Sequence, residues 1–269
     1  SLSSIVVLIS STLNAQIHWC GTDQNAPYQV SSDHEINQYK LESRSAMVLP
    51  VVVHIVWNQS VENRSDSQVL RQIERLNLDF NNASVFNTSV PKEFRKSIGS
   101  PDIRFCLART DPDGKTTSGI TRTYTNISFI GSKKNNQNNF SIHSTVDGGK
   151  DPWDGDLYIN IWVGKLENLY GRSSIAGAIK NKNEDGIVID PVVFNADPLH
   201  SLKGRTLVHE MGHYLGLKHT WGQHVGDCNE DDDIEDTPQQ SAPYFDCPSY
   251  PQTSCNSNDM SMNFMDFVA

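Results

Sequence analysis

From Val48 to Trp57 the chain is apolar and largely β-branched, interrupted only by His54, a pattern that predicts a strand buried on both faces. His54 then reads as a histidine of the sheet and not as a metal ligand. Between Ser67 and Phe80, the residues Val69, Leu70, Ile73, Leu76, Leu78 and Phe80 recur close to the helical period, with Ser65 or Asp66 available as N-cap. A long amphipathic helix packing on the sheet is expected there. Further strands are predicted at 103–107, 119–125, 156–163 and 187–193, the third with alternating apolar residues over most of its length. Residues 131–154, rich in Asn, Gly and Lys, read as a surface loop. Thr206 to Leu217 reads as a helix, and beyond His219 regular periodicity is lost. No internal repeat or heptad pattern is visible.

The first fifteen residues hold the apolar run Ile5–Ile9 and end in Leu13-Asn14-Ala15, which resembles the end of a secretory signal peptide; a buried N-terminal strand is the alternative. Neither this stretch nor any other supplies the twenty or so apolar residues of a membrane span. Residues 16–44 are polar and aperiodic and read as a pro-segment. The rest of the chain divides at the end of the expected helix into 45–216 and 217–269. A formal charge of −10 argues against a nucleic-acid or anionic-membrane partner, and it also serves solubility alone. Asn-x-Ser/Thr triplets begin at Asn58, Asn63, Asn82, Asn87, Asn126 and Asn139 and do not by themselves decide the source. Oligomeric state is not legible.

The densest chemistry lies at 209–219, His-Glu-Met-Gly-His-Tyr-Leu-Gly-Leu-Lys-His. Residues four apart on a helix share a face, so His209 and His213 can grip one ion. Glu210 then lies beside the metal, where it can act as general base on a bound water. Gly216 tolerates positive φ and lets the chain turn, bringing His219 back to the same ion. Three nitrogen ligands and one open position describe a catalytic zinc site better than a structural one.

Five cysteines, Cys20, Cys106, Cys228, Cys247 and Cys255, leave at least one unpaired. The last three cluster in the irregular region, whereas Cys106, in the apolar run Ile103–Leu107, reads as a buried thiol. The run from Asp227 to Thr237 is dense in carboxylates; its hard oxygens suit calcium, and a solvated acidic loop is the alternative.

With the zinc motif, Met265 in Asn263-Phe264-Met265-Asp266-Phe267, His219-Thr220-Trp221-Gly222 and Asp236-Thr237-Pro238, the chain resembles the metzincins and, among them, the pappalysin family with its bacterial secreted members. Met260 and Met262 compete with Met265 as the methionine of the turn beneath the metal, but lack its context. The resemblance implies an α+β fold: a twisted, mostly parallel five-stranded sheet, the active-site helix above the cleft, and a loop-rich lower part holding the methionine turn. It maps the zinc ligands onto His209, His213 and His219 and the general base onto Glu210. It implies a substrate peptide added as a strand to the sheet's lower edge, within 173–180. It also implies a latency switch in which Cys20 occupies the open zinc position, with release near Arg44-Ser45. A disulfide between Cys228 and Cys255, and calcium ligands at Asp227, Asp233, Asp236 and Thr237, follow from the same resemblance.

Two departures stand out. Many relatives carry a tyrosine two residues after the turn methionine, where this chain has Phe267, which cannot donate a hydrogen bond. The sequence also stops at Ala269 where the family continues, so truncation is expected, with Cys247 lacking its partner. The reading is a secreted zinc metalloendopeptidase, made as a latent precursor, that takes protein or peptide substrates, hydrolyses peptide bonds through zinc-bound water and Glu210, and is inhibited by its own pro-segment. The rival is a non-catalytic zinc-containing binding module.

Overall fold

The computed structural model describes residues 47–81, 90–132, 140–176, 181–194 and 204–268, together with the backbone of 18–20. The signal-like start, most of the pro-segment including Arg44, and the triplets at Asn82, Asn87 and Asn139 lie outside the described residues.

The long apolar run forms β2 (Met47–Trp57), the axis of one sheet that also contains β1 (His18–Cys20), β3 (Ile103–Leu107), β4 (Ile120–Tyr124), β5 (Ile159–Val163), β6 (Leu169–Ser173) and β7 (Ile187–Ile189). β3 pairs with the first half of β2 and β4 with its second half, so the two share one edge position. On the other side of β2 come β5 and β7, all parallel, then β6 antiparallel to β7. This is the expected five-position, mostly parallel sheet. β1 extends it, pairing parallel with β6.

Residues 51–56 of β2 are fully buried because each face is covered. Val51, Val53 and Ile55 meet the two helices, α1 (Asp66–Phe80) and α2 (Thr206–Tyr214), while Val56 joins Trp162, Val188, Ile130 and Ile142 in a second cluster. His54 is a sheet histidine, as its context implied. Its Nε2 donates to Asn160 Oδ1 (3.1 Å) and its Nδ1 accepts from the Thr121 hydroxyl (2.8 Å). Burial pushes this imidazole down to about 4.

Of the two candidate caps, Ser65 holds the start of α1, its Oγ accepting from Gln68 N while Gln68 Oε1 accepts from Ser65 N. Leu70, counted among the apolar face, is instead exposed, and the polar Gln72 and Asp79 are buried. Gln72 Nε2 donates to Gly204 O (2.7 Å), and Asp79 is flanked by Arg75 (3.5 Å) and Arg205 (3.3 Å). These contacts tie α1 to the entry of α2.

Five expectations are corrected. The 131–154 stretch is not only a surface loop: Ser141, Ile142 and His143 are buried on the sheet, and Trp162 Nε1 donates to Lys150 O (2.8 Å). The strand expected at 156–163 starts at Ile159, since Tyr158 N returns to Asp154 O in a turn; the one expected at 187–193 stops at Ile189, because Val193 N and Phe194 N bond Asp190 O. The lower edge strand is β6, N-terminal to the 173–180 expected. After Ser173 the chain leaves the sheet, Ser174 Oγ donating to Asp185 Oδ1 and Ala176 N to Tyr214 O, and 177–180 lie outside the described residues. Cys106 is half-buried, not buried.

Below α2 the chain is loop-rich, as expected. Asp266 accepts from Gln240 Nε2 and Tyr244 N, Asp259 accepts from Tyr244 Oη and Ser254 N, and Cys228 is bonded to Cys255. Met265 packs against the underside of α2 so closely that a Cβ on Gly212 would lie 2.4 Å from its Sδ.

Two outcomes follow. The unfolded chain takes up a proton at His54 near pH 6.5 and the folded chain only near 4. This contribution is therefore complete above pH 6.5 and is lost as pH falls toward 4, up to about 3 kcal/mol. In denaturant titrations at neutral and acid pH, His54→Gln is expected to show about 2 kcal/mol less acid destabilisation than the parent; an equal loss contradicts this. Gly212→Ala, which in a free helix gains about 1 kcal/mol, is expected here to cost about 1–3 kcal/mol in the same assay because Met265 must move. A gain in stability would contradict the close packing.

Candidate active site

All nine residues of α2 are buried, and one turn of the helix separates His209 from His213. The helix stops at Tyr214; Gly216 follows at φ 96°, the left-handed conformation that the turn to His219 was expected to need. The three Nε2 atoms converge, with His209–His213 at 3.0 Å, His213–His219 at 3.1 Å and His209–His219 at 3.3 Å. His219 is stacked on the Trp221 ring at 4.3 Å, which orients the imidazole that comes from the loop.

Hydrogen bonding fixes which nitrogens carry protons. His209 Nδ1 lies 2.7 Å from Phe264 O and His213 Nδ1 lies 2.8 Å from Leu217 O. A carbonyl oxygen only accepts, so both Nδ1 atoms donate and each Nε2 presents its lone pair inward. Burial holds all three rings neutral, pushing His209 to about 4 and His213 and His219 well below the ordinary imidazole value. Two such inward lone pairs, with His219 Nε2 at the same spacing, form a cluster that a cation would stabilise. A tetrahedral ion with metal–nitrogen distances of about 2.0–2.1 Å sets its ligands about 3.3 Å apart, which these residues match. Among the described residues this is the only group of three or more His, Cys, Asp or Glu ligand atoms within 4.8 Å of one another.

Glu210, fully buried and next to His209 on α2, faces β6, where a Cβ on Gly171 would lie 2.8 Å from its side chain. Met265 is the methionine whose Sδ lies nearest to Gly212 of α2. Phe267 lies with its ring 5.6 Å from His209 and 5.0 Å from His219, so the position beside the triad carries a phenyl without a hydroxyl. Cys20 lies in β1 in register with Gly171, the residue that borders Glu210.

The acidic loop from Asp227 to Thr237 is held by local contacts. Asp227 Oδ1 accepts from Asn229 N (2.8 Å), Asp233 pairs with Lys218, Asp236 meets Ser97 through its carbonyl, and Thr237 N bonds to Ile234 O. Asp227, Asp233 and Asp236 are not gathered into one ligand group. The buried carboxyl of this loop is Asp232, pushed up to about 6 by burial. Cys247 is exposed and free.

Sequence reasoning missed Gly171, the Phe264 carbonyl and Arg205. Arg205, at the entry of α2, reaches Asp79 on α1 and lies over the Phe264 ring at 5.3 Å. These contacts join residues far apart in the chain, and no local pattern announces them.

Comparison with known proteins agrees with this geometry. The family profile described as pregnancy-associated plasma protein-A matches residues 141–269. An extracellular metalloprotease of Arthroderma benhamiae is 34% identical over 99 residues, and that match spans a third (33%) of this chain and 33% of the fungal protein. The chain thus matches only about a third of the length of such curated relatives. Among solved structures, mature mirolysin of Tannerella forsythia in complex with a cleaved peptide is 38% identical, covering 84% of this chain and 85% of that one with a TM-score of 0.77. A promirolysin mutant of the same organism is 36% identical over 93% of this chain and 87% of that one, with a TM-score of 0.79. Identity at that level over most of both chains, together with the shared fold and the family profile over residues 141–269, places the chain in the pappalysin family of metallopeptidases.

Proposed function

We propose that this chain is a secreted zinc endopeptidase made as a latent precursor. The observation that carries the reading is the convergence of the His209, His213 and His219 Nε2 atoms beside the buried Glu210. Extracellular relatives support secretion, and among the described residues no helix is long and apolar enough to cross a membrane.

When bound, zinc supplies Lewis acidity toward the scissile carbonyl and the attacking water. His209, His213 and His219 hold it as neutral ligands, two of them oriented by the carbonyls of Phe264 and Leu217. Glu210 takes the proton of the attacking water and delivers it to the leaving amine. Once β1 has left it, the outer edge of β6 binds the substrate backbone as an added strand, which tolerates varied side chains. A cleaved peptide is bound by mature mirolysin, and the same class of substrate is assigned to this chain. In the arrangement described, β1 takes that edge with Cys20 opposite Gly171. This supports residues 16–44 as a pro-segment that blocks the cleft, with Cys20 as the thiolate that closes the open metal position. Residues 45–216 and 217–269 then form the upper and lower walls.

Zinc alone enters the chemistry. Calcium at Asp227, Asp233, Asp236 and Thr237 would have to displace Lys218 from Asp233. Phe267 favours one second reading, a zinc-containing binding module without turnover, because no hydroxyl at that position assists the oxyanion.

In the full-length Cys20→Ala chain, an unfolded protein substrate is expected to be cleaved internally, with activity lost on chelation and restored by zinc. Glu210→Ala in the same background is expected to reduce turnover by at least about 100-fold; equal cleavage by that variant refutes the mechanism. Phe267→Tyr is expected to raise kcat about tenfold or more at similar KM, since a single oxyanion donor is worth about 100-fold or more. Zinc binding with no turnover in either form would instead establish the binding module.

A further inference from the structure

Gly171 has an extended backbone outside the left-handed region, so its conformation does not demand glycine. What demands it is space. A Cβ there would lie 2.8 Å from Glu210 Cγ, 2.8 Å from Glu210 Oε1 and 3.1 Å from Glu210 Cδ; its three nearest neighbours are all atoms of that one side chain. The same residue pairs with Ile189 on β7 and, on its outer side, with Cys20 of β1. The strand that receives a peptide and the helix that carries the carboxylate thus touch at the single position where the strand has no side chain.

Resting on the endopeptidase reading, we propose that Gly171 is a positioning residue for the reaction. By omitting a side chain, it lets Glu210 lie directly under the peptide-binding edge, in reach of both the attacking water and the departing amine. Any β-carbon at 171 pushes the carboxylate along α2 and away from that edge. It does so without touching the imidazoles, whose orientation comes from Phe264, Leu217 and Trp221.

The test is a double-mutant cycle in the zinc-loaded full-length chain carrying Cys20→Ala, read by kcat, KM, bound zinc per chain and melting temperature. Gly171→Ala is expected to lower kcat about 100-fold, as displacement of a reacting group by about an ångström does, with zinc content unchanged and KM within about threefold. Combined with Glu210→Asp, whose carboxylate sits one methylene further back, Gly171→Ala is expected to change kcat less than about threefold relative to Glu210→Asp alone. The melting temperature provides an arm independent of activity. Gly171→Ala is expected to lower it by about 5 °C in the parent and by less than about 1 °C in the Glu210→Ala background, where the colliding atoms are gone. Equal losses of kcat or of melting temperature in both backgrounds, or full activity of Gly171→Ala, would overturn the assignment. Should the zinc-loaded Cys20→Ala chain cleave nothing, the endopeptidase reading fails; should it cleave, with Glu210→Ala inactive and Gly171→Ala normal, only this inference fails.

Discussion

Three imidazole nitrogens held about 3 Å apart are the constraint around which the rest of this molecule is arranged. A cation would stabilise such a cluster, and the chain commits considerable structure to holding it. The Phe264 and Leu217 carbonyls fix two tautomers, the Trp221 ring orients the third histidine, and burial keeps all three unprotonated. The helix that carries two of them is clamped on both sides. Above it, Gly171 leaves room for Glu210; below it, Gly212 leaves room for Met265. Missing β-carbons at two positions bring sheet, helix and methionine turn into one contact.

The sheet serves this centre in two ways. Its buried strands supply the wall against which α2 lies, through Val51, Val53, Ile55, Ile187 and Ile189. Its antiparallel strand β6 passes beside Glu210, and β1 pairs with the outer side of that strand. On the proposed function, the substrate edge and the latency element would be one place in the fold. The other face carries a second cluster around Trp162, where burial lowers the pKa of His54 and His143.

What the sequence revealed was what depends on neighbours in the chain. His209 and His213 follow from helical spacing and His219 from the glycine between. The β2 run was unmistakable because every residue from Val51 to Val56 is buried, and α1 announced itself by period and cap. What remained hidden depends on distant partners. Leu70 fits the helical period yet is exposed, because Gln72 and Asp79 are drawn inward by Gly204 and Arg205. Ile142 and His143 sit in a loop-like composition yet are buried, because Trp162 needs a cover. The edge strand came several residues earlier than expected, because Asp185 and Tyr214 pull the chain out of the sheet after Ser173. The acidic run at 227–237 pointed to a cation, while Lys218 and the local backbone take up several of its carboxylates.

Zinc K-edge absorption on the purified full-length chain tests the central claim most directly, because it reports the identity and distance of the atoms around the metal. The account predicts one zinc per chain with three imidazole nitrogens at about 2.0–2.1 Å, and a single sulfur at about 2.3 Å that disappears in Cys20→Ala. A shell without imidazole scattering, or a chain that takes up no zinc, would contradict it.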